Sequence, residues 1–163
     1  MNYDIKSHQF PEDQVSLHDC CITKICSTPD SIVFEFQDGV ILFDGQSSAT
    51  TSYRQIRLLR CTNRDIKCKL IKRKATSKGV KFSGRTISID ALNKLLTKKY
   101  SVDIFLELYD DSFLYWRCSL YNHKRSSRGL LPHIVIEAND FSSVEISGNN
   151  PENFKQENSS FSY

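Results

Sequence analysis

Apolar and polar residues alternate over short segments of this chain, which is the pattern of β-strands with one buried face. Residues 16–43 are the clearest case and predict three antiparallel strands joined by two tight turns, a β-meander with its own apolar face. In its second strand, Ile32, Phe34 and Phe36 fall on one face. Asp38-Gly39 then predicts a hairpin, because a type I′ turn requires positive φ at both central residues.

The same alternation predicts further strands along the chain, at residues 65–74, 80–89, 133–140 and 143–147. Residues 53–61 also fit a short helix, but the neighbouring hairpin favours a strand. A long hairpin is predicted around Asp110-Asp111. Its first strand places four apolar residues on one face, namely Val102, Ile104, Leu106 and Leu108.

One helix interrupts these strands, from Ile89 to Lys99, and either Ser88 or Asp90 can cap its start. Its buried stripe consists of Leu92, Leu95 and Leu96. Strands spaced by about 8 to 12 residues predict a mainly β (α+β) fold. We expect an antiparallel β-sandwich or partly open barrel of about eight to nine strands, with the one helix packed on a face or an end.

The domain organisation follows from length and composition. Residues 1–148 predict a single β-rich domain with a polar lead-in at 1–15, and 149–163 have the composition of a disordered tail. No apolar run is long enough for a membrane helix, and the first residues lack the features of a signal peptide. We therefore expect a cytoplasmic protein without a membrane partner, and the sequence predicts no oligomeric state.

The six cysteines at 20, 21, 26, 61, 68 and 118 form no C-x-x-C pair. Their spacing matches no zinc ligand set, and adjacent Cys20 and Cys21 point to opposite faces of a strand. We expect small, partly buried free thiols.

Catalytic signatures are also missing from the sequence. His18-Asp19 opens a strand without a second histidine-rich segment, and no Walker loop, G-x-G-x-x-G or G-x-S-x-G motif is present. We therefore predict a non-enzymatic protein with no catalytic residues, no metal site and no cofactor.

Charge is distributed very unevenly. Between Arg54 and Arg85 lie twelve basic residues and one acid, a formal charge of +11, which leaves −8 for the rest of a chain whose total is +3. Five of these basic residues are candidates for binding a partner: Arg57, Lys67, Lys69, Arg73 and Lys74. Three interpretations stay open: a solvated strand face, a docking surface for an acidic protein, or a phosphate-binding surface for nucleic acid with Tyr53 and Phe82 as flanking stacking partners.

The strand at 113–121 is a second candidate surface. Trp116 and Leu114 share one face, and if that face is core, Tyr115, Arg117 and Tyr121 project outward. Tyrosine and arginine are favoured anchors of protein interfaces. The alternative is that the helix covers this outward face.

Leu17-His18-Asp19 followed by Ile22 and Ile25 gives the pattern LHD-x-x-I-x-x-I, ahead of an apolar hairpin. This opening, together with the later helix and the 102–121 hairpin, resembles small uncharacterised bacterial proteins and is similar to some immunity proteins of polymorphic toxin systems. The resemblance implies a bacterial, non-enzymatic binding protein that acts on another protein, with a toxin as one such partner. The alternative function is a nucleic-acid-binding module that uses the basic 54–85 segment.

Overall fold

Ten strands form one antiparallel sheet in the computed structural model, which describes residues 3–8, 10–11, 14–43, 48–50, 53–62, 64–97, 100–122 and 131–148. The strands of this sheet, in spatial order, are β1 (Tyr3–Ser7), β13 (Ser143–Gly148), β7 (Tyr53–Leu59), β4 (Ser31–Phe36), β3 (Cys21–Ser27), β10 (Tyr100–Asp110), β11 (Phe113–Asn122), β12 (His133–Ala138), β8 (Ile66–Thr76) and β9 (Gly79–Ile87). A small second sheet has the order β2 (Val15–Ser16), β5 (Ile41–Phe43) and β6 (Ser48–Thr50). The prediction of a mainly β, antiparallel fold with one helix is confirmed. In the described part of the chain, β1 and β9 do not pair, so the large sheet is not closed into a barrel.

The large sheet curves around one apolar core. Phe34 on β4 and Trp116 on β11 are three strands apart, about 14 Å in a flat sheet. Their ring centroids are nevertheless 4.8 Å apart in an edge-to-face contact. Both side chains are fully buried, and so are Ile56 of β7 and Ile136 of β12. The face that carries these residues is called the core face, and the opposite one the outer face.

The helix α1 (Ile89–Thr97) packs on β3 and β10 with Leu92 and Leu96 buried. Ser88 caps its start, because the Ser88 hydroxyl accepts a hydrogen bond from the Ala91 amide at 3.1 Å. Asn93 bonds the backbone of β3: its Oδ1 accepts from the Ile25 N–H at 2.9 Å, and its Nδ2 donates to the Ile25 carbonyl. The side-chain amide thus makes the two hydrogen bonds that a neighbouring strand would make.

The predicted three-stranded meander is wrong in its third strand. β3 and β4 pair as predicted, but β4 takes β7 as its second neighbour, and β5 pairs with β2 and β6. Gly39 has φ 93, so the Asp38-Gly39 segment does turn the chain. After the turn the chain passes through Val40, which is fully buried, into β5 of the small sheet, and β5 makes no hairpin with β4.

A β-bulge in β10 overturns the predicted face of that strand. The register with β11 shifts between Ile104 and Leu106, so one extra residue, Phe105, lies between them. Ile104 is fully buried on the core face, whereas Leu106 and Leu108 are 39% and 54% exposed on the outer face. One extra residue in a strand moves every later side chain to the opposite face of the sheet. Glu107 consequently points toward the core.

The lead-in at 1–15 contains a strand, because β1 pairs with β13 at one edge of the large sheet. The predicted tail at 149–163 lies outside the described residues. All six cysteines are free thiols as predicted, and four of them are buried: Cys20, Cys61, Cys68 and Cys118.

Candidate binding surface

The hairpin of β8 and β9 extends beyond the rest of the sheet. β12 pairs with β8 only over Ile66–Ile71, whereas β9 pairs with β8 as far as Thr76. Residues 72–83 therefore form a two-stranded ribbon, called here the basic arm. Apart from Arg73 and Thr76, every residue of the arm is exposed.

The basic arm carries five cations and no acid: Lys72, Arg73, Lys74, Lys78 and Lys81. Strand alternation separates their side chains. Lys72, Lys74 and Lys81 continue the core face, on which Leu70 is buried, and Arg73 continues the outer face. In the part of the chain that the structure describes, no carboxylate lies within ion-pair distance of these cations.

Two of these cations stand directly opposite each other, because Lys74 is the register partner of Lys81. Like charges at directly opposed positions destabilise an antiparallel pair. On the other face of the ribbon, Arg73 is opposite Phe82, whose side chain is 64% exposed. The neighbouring Val80 is 46% exposed. The arm therefore combines exposed apolar surface with positive charge that meets no carboxylate among the described residues.

At the base of the arm, the Arg73 Nε donates to the Leu131 carbonyl at 3.1 Å, which anchors β8 to the segment before β12. A shallow depression opens on the core face of the ribbon at the same level. Its lining consists of Leu70, Lys72, Ser83, Gly84 and Arg85. The two cations Lys72 and Arg85 thus border one small concave site.

The outer face of β10, β11, β12 and β8 brings together most of the residues predicted for partner binding. Register neighbours place Leu106, Arg117, Val135 and Lys69 in one row across the four strands. The adjacent row contains Leu108, Tyr115, Glu137 and Lys67. Aromatic and cationic candidates that are about fifty residues apart in sequence are therefore part of one surface.

Arg117 is held in a defined orientation on this outer face. Its Nε donates to the His133 Nδ1 at 3.3 Å, and its guanidinium lies 5.6 Å from the centroid of the Phe105 ring. His133 is only 6% exposed. Its pKa is lowered by burial and by the nearby charges of Arg73 and Arg117. The imidazole is therefore neutral near pH 7 and can accept the bond from Arg117.

Not every predicted residue joins this surface. Arg57 lies on β7, six strands from β8 in the sheet order, with its guanidinium 4.0 Å from the Glu145 carboxylate. Lys74 belongs to the opposite face of the ribbon from Lys67, Lys69 and Arg73. Tyr121 is 43% exposed, near the far end of β11. The side chain of Tyr53 lies outside the described part.

Leu106 and Leu108 are the surface residues that sequence reasoning missed. Their alternation with Val102 and Ile104 looked regular, and the bulge at Phe105 leaves no sign in the hydrophobic pattern. The acidic Glu107 among apolar neighbours was the one available signal.

The chain around His18-Asp19 is held by hydrogen bonds to Glu107. Glu107 accepts hydrogen bonds from the Ser16 hydroxyl at 2.6 Å and from the Leu17 amide at 2.9 Å, which fixes the chain just before the pair. His18 and Asp19 themselves are exposed, with Nδ1 and Oδ2 3.1 Å apart. Across the described residues, no group of three or more histidine, cysteine or acidic side chains is arranged to hold a metal ion.

No family model, no curated protein and no solved structure matches this chain. Among the described residues, no helix has the length and apolar character needed to cross a bilayer.

Proposed function

We propose that this protein is a non-enzymatic binding protein that engages an anionic macromolecule through the basic arm. The observation that carries the proposal is a ribbon of five cations and no acid that leaves the sheet with both faces exposed. An isolated two-stranded hairpin is marginally stable in water, and the opposed Lys74 and Lys81 destabilise it further. An anionic partner would relieve this repulsion while it gains electrostatic contacts.

Retention on immobilised poly-L-glutamate tests whether the arm binds polyanions. The arm variant combines Lys72→Glu, Lys74→Glu and Lys81→Glu, and we expect it to elute at much lower salt than the wild type. The matched control reverses three exposed arginines outside the arm, Arg54, Arg60 and Arg64. Both variants change the net charge equally, so equal loss of retention by the two would contradict a specific role of the arm.

A second candidate function is protein binding by the outer face, with a toxin as one such partner. The observation that favours it is the exposed pair Leu106 and Leu108 beside Tyr115 and the oriented Arg117. Apolar and aromatic residues bordered by arginine are typical of interface hot spots.

Co-purification with the product of the adjacent gene tests this second function, since immunity proteins are encoded beside their toxins. We expect Leu108→Glu with Tyr115→Ala to abolish co-purification and the triple arm variant to leave it intact. Recovery of the complex with the outer-face variant would remove this function.

A further inference from the structure

We infer that the anionic macromolecule bound by the basic arm is a nucleic-acid duplex, with the ribbon lying in a groove between the phosphate backbones. This inference rests on the proposed function of the arm and names the class of its partner. Three properties of the ribbon support it: its size, the placement of its cations, and its single exposed aromatic ring.

The size of the ribbon suits a duplex groove. The part that extends past β12 pairs Lys72–Thr76 with Gly79–Ser83, five residues in each strand. At about 3.3 Å per residue this segment is about 16 Å long, and its strands are about 4.8 Å apart. The major groove of B-DNA is about 12 Å wide and admits a two-stranded β-ribbon. Every residue from 77 to 83 is exposed, so the arm can enter such a groove while the described fold stays intact.

The cations are distributed as a groove requires. Lys72, Lys74 and Lys81 project from one face of the ribbon, and Arg73 projects from the other. With the Arg73 and Phe82 face toward the bases, a phosphate backbone runs along each strand of the ribbon. Lysines on both strands, Lys72 and Lys74 on β8 and Lys81 on β9, are then placed beside the two backbones. Lysine is also depleted in the centre of protein interfaces, whereas lysine–phosphate contacts supply most of the sequence-independent affinity for nucleic acid.

Phe82 distinguishes a duplex from a single strand. Its ring is 64% exposed beside Arg73, in a position from which it can contact base edges or wedge against a base step. Proteins that bind single strands stack successive bases on several aromatic rings. The described arm carries one aromatic residue, which does not make such a platform.

Fluorescence anisotropy with the full chain tests the inference. The probes are a short labelled DNA duplex of mixed sequence and the corresponding single strand, each titrated over a series of salt concentrations. We expect the wild type to bind the duplex more tightly than the single strand, with an affinity that falls steeply with salt. The combined Lys72→Gln, Lys74→Gln and Lys81→Gln variant should reduce the log–log salt slope by about three, because each lost phosphate contact removes about one.

Phe82→Ala supplies a readout that a purely electrostatic attraction would not change. We expect it to weaken duplex binding about fivefold or more at an unchanged salt slope, since no charge is removed. Val80→Ala, on the same face two register positions closer to the turn, is the matched control and should stay within about twofold. Circular dichroism of each variant checks that the fold is retained.

Competition with poly-L-glutamate separates the two proposals. If polyglutamate displaces the wild type from the duplex as effectively as unlabelled DNA at equal charge, the arm binds polyanions and the duplex inference is overturned. Equal affinity for single strand and duplex, or no effect of Phe82→Ala, overturns it as well. If the wild type binds neither polyglutamate nor DNA at low salt, the proposed function of the arm itself is overturned.

Discussion

Removal of one hydroxyl group, by Tyr109→Phe, should measurably destabilise the fold. The Tyr109 hydroxyl donates to a Glu107 carboxylate oxygen at 2.6 Å and accepts from the indole Nε1 of Trp116 at 3.2 Å. Its ring is stacked on Phe10 at a centroid distance of 3.8 Å. Burial and the adjacent Glu107 raise the pKa of the hydroxyl, so it stays protonated and remains a donor. The residue thus links the core tryptophan to the carboxylate that holds the Leu17 amide.

The expected cost follows from the two bonds that are lost. A hydrogen bond to a charged group contributes about 1.5–3 kcal/mol, and a buried donor left without a partner costs about 1–3 kcal/mol. Trp116 is fully buried, so its indole N–H would lose its partner. These two costs overlap in part, and we expect the free energy of unfolding to fall by about 3 kcal/mol. For a chain of this length that lowers the Tm by about 6–12 °C.

Thermal and urea unfolding followed by circular dichroism measure this change. Tyr121→Phe is the control, because it removes the same atom from a side chain that is 43% exposed and should change stability by about 0.5 kcal/mol or less. In a double-mutant cycle, Trp116→Phe should cost less in the Tyr109→Phe background than alone. Equal Tm values for Tyr109→Phe and Tyr121→Phe would refute the linking role of the hydroxyl.

Three further predictions concern charge and thiols. Lys81→Glu should stabilise the arm by about 0.2–1 kcal/mol, because it replaces the like-charge pair of Lys74 and Lys81 by an opposite-charge pair. Hydrogen exchange of the arm amides should become slower. Lys78→Glu in the turn is the control and should leave the exchange rates unchanged. Because the pKa of His133 is lower in the folded than in the unfolded protein, its contribution to stability is present above about pH 6.5 and is lost as the pH falls. A His133→Gln variant should show a flatter Tm profile below that pH, and parallel profiles would contradict this assignment. Burial raises the pKa of Cys20 to about 11 and that of Cys61 and Cys68 to about 12. Mass spectrometry should accordingly find these thiols unmodified by iodoacetamide at neutral pH until the protein unfolds, and rapid labelling of the native protein would argue against burial.

The hydrophobic pattern predicted the strands well wherever local alternation and tertiary burial agree. β4 and β11 are examples, as is the helix capped by Ser88. The hydrophobic pattern was misleading where a single residue changes the face of a strand or the direction of the chain. The bulge at Phe105 reverses the faces of β10, and the turn at Gly39 leads to another sheet. The bulge and the course of the chain after the turn both depend on which strand is the pairing partner. The choice of partner is determined by residues throughout the chain.

The binding surface was predictable in composition but not in shape. The excess of basic residues between Arg54 and Arg85 is plain in the sequence, yet it covers strands on distant parts of the sheet. Separation of Arg57 from Lys67 and Lys69 follows from the strand order, which no local pattern encodes. The projection of the arm depends on where β12 stops pairing with β8, at Ile71.

The two bonds between Asn93 and Ile25 also occupy backbone groups to which a strand of another molecule could pair. β10 leaves β3 after Ile22, so the second half of β3 has no strand on that side in the described structure. Exposed backbone groups of this kind recruit strands from other molecules. The amide of Asn93 occupies both the N–H and the carbonyl of Ile25, and the helix covers the gap. We therefore expect this one side chain on α1 to disfavour pairing of β3 with a strand of another molecule.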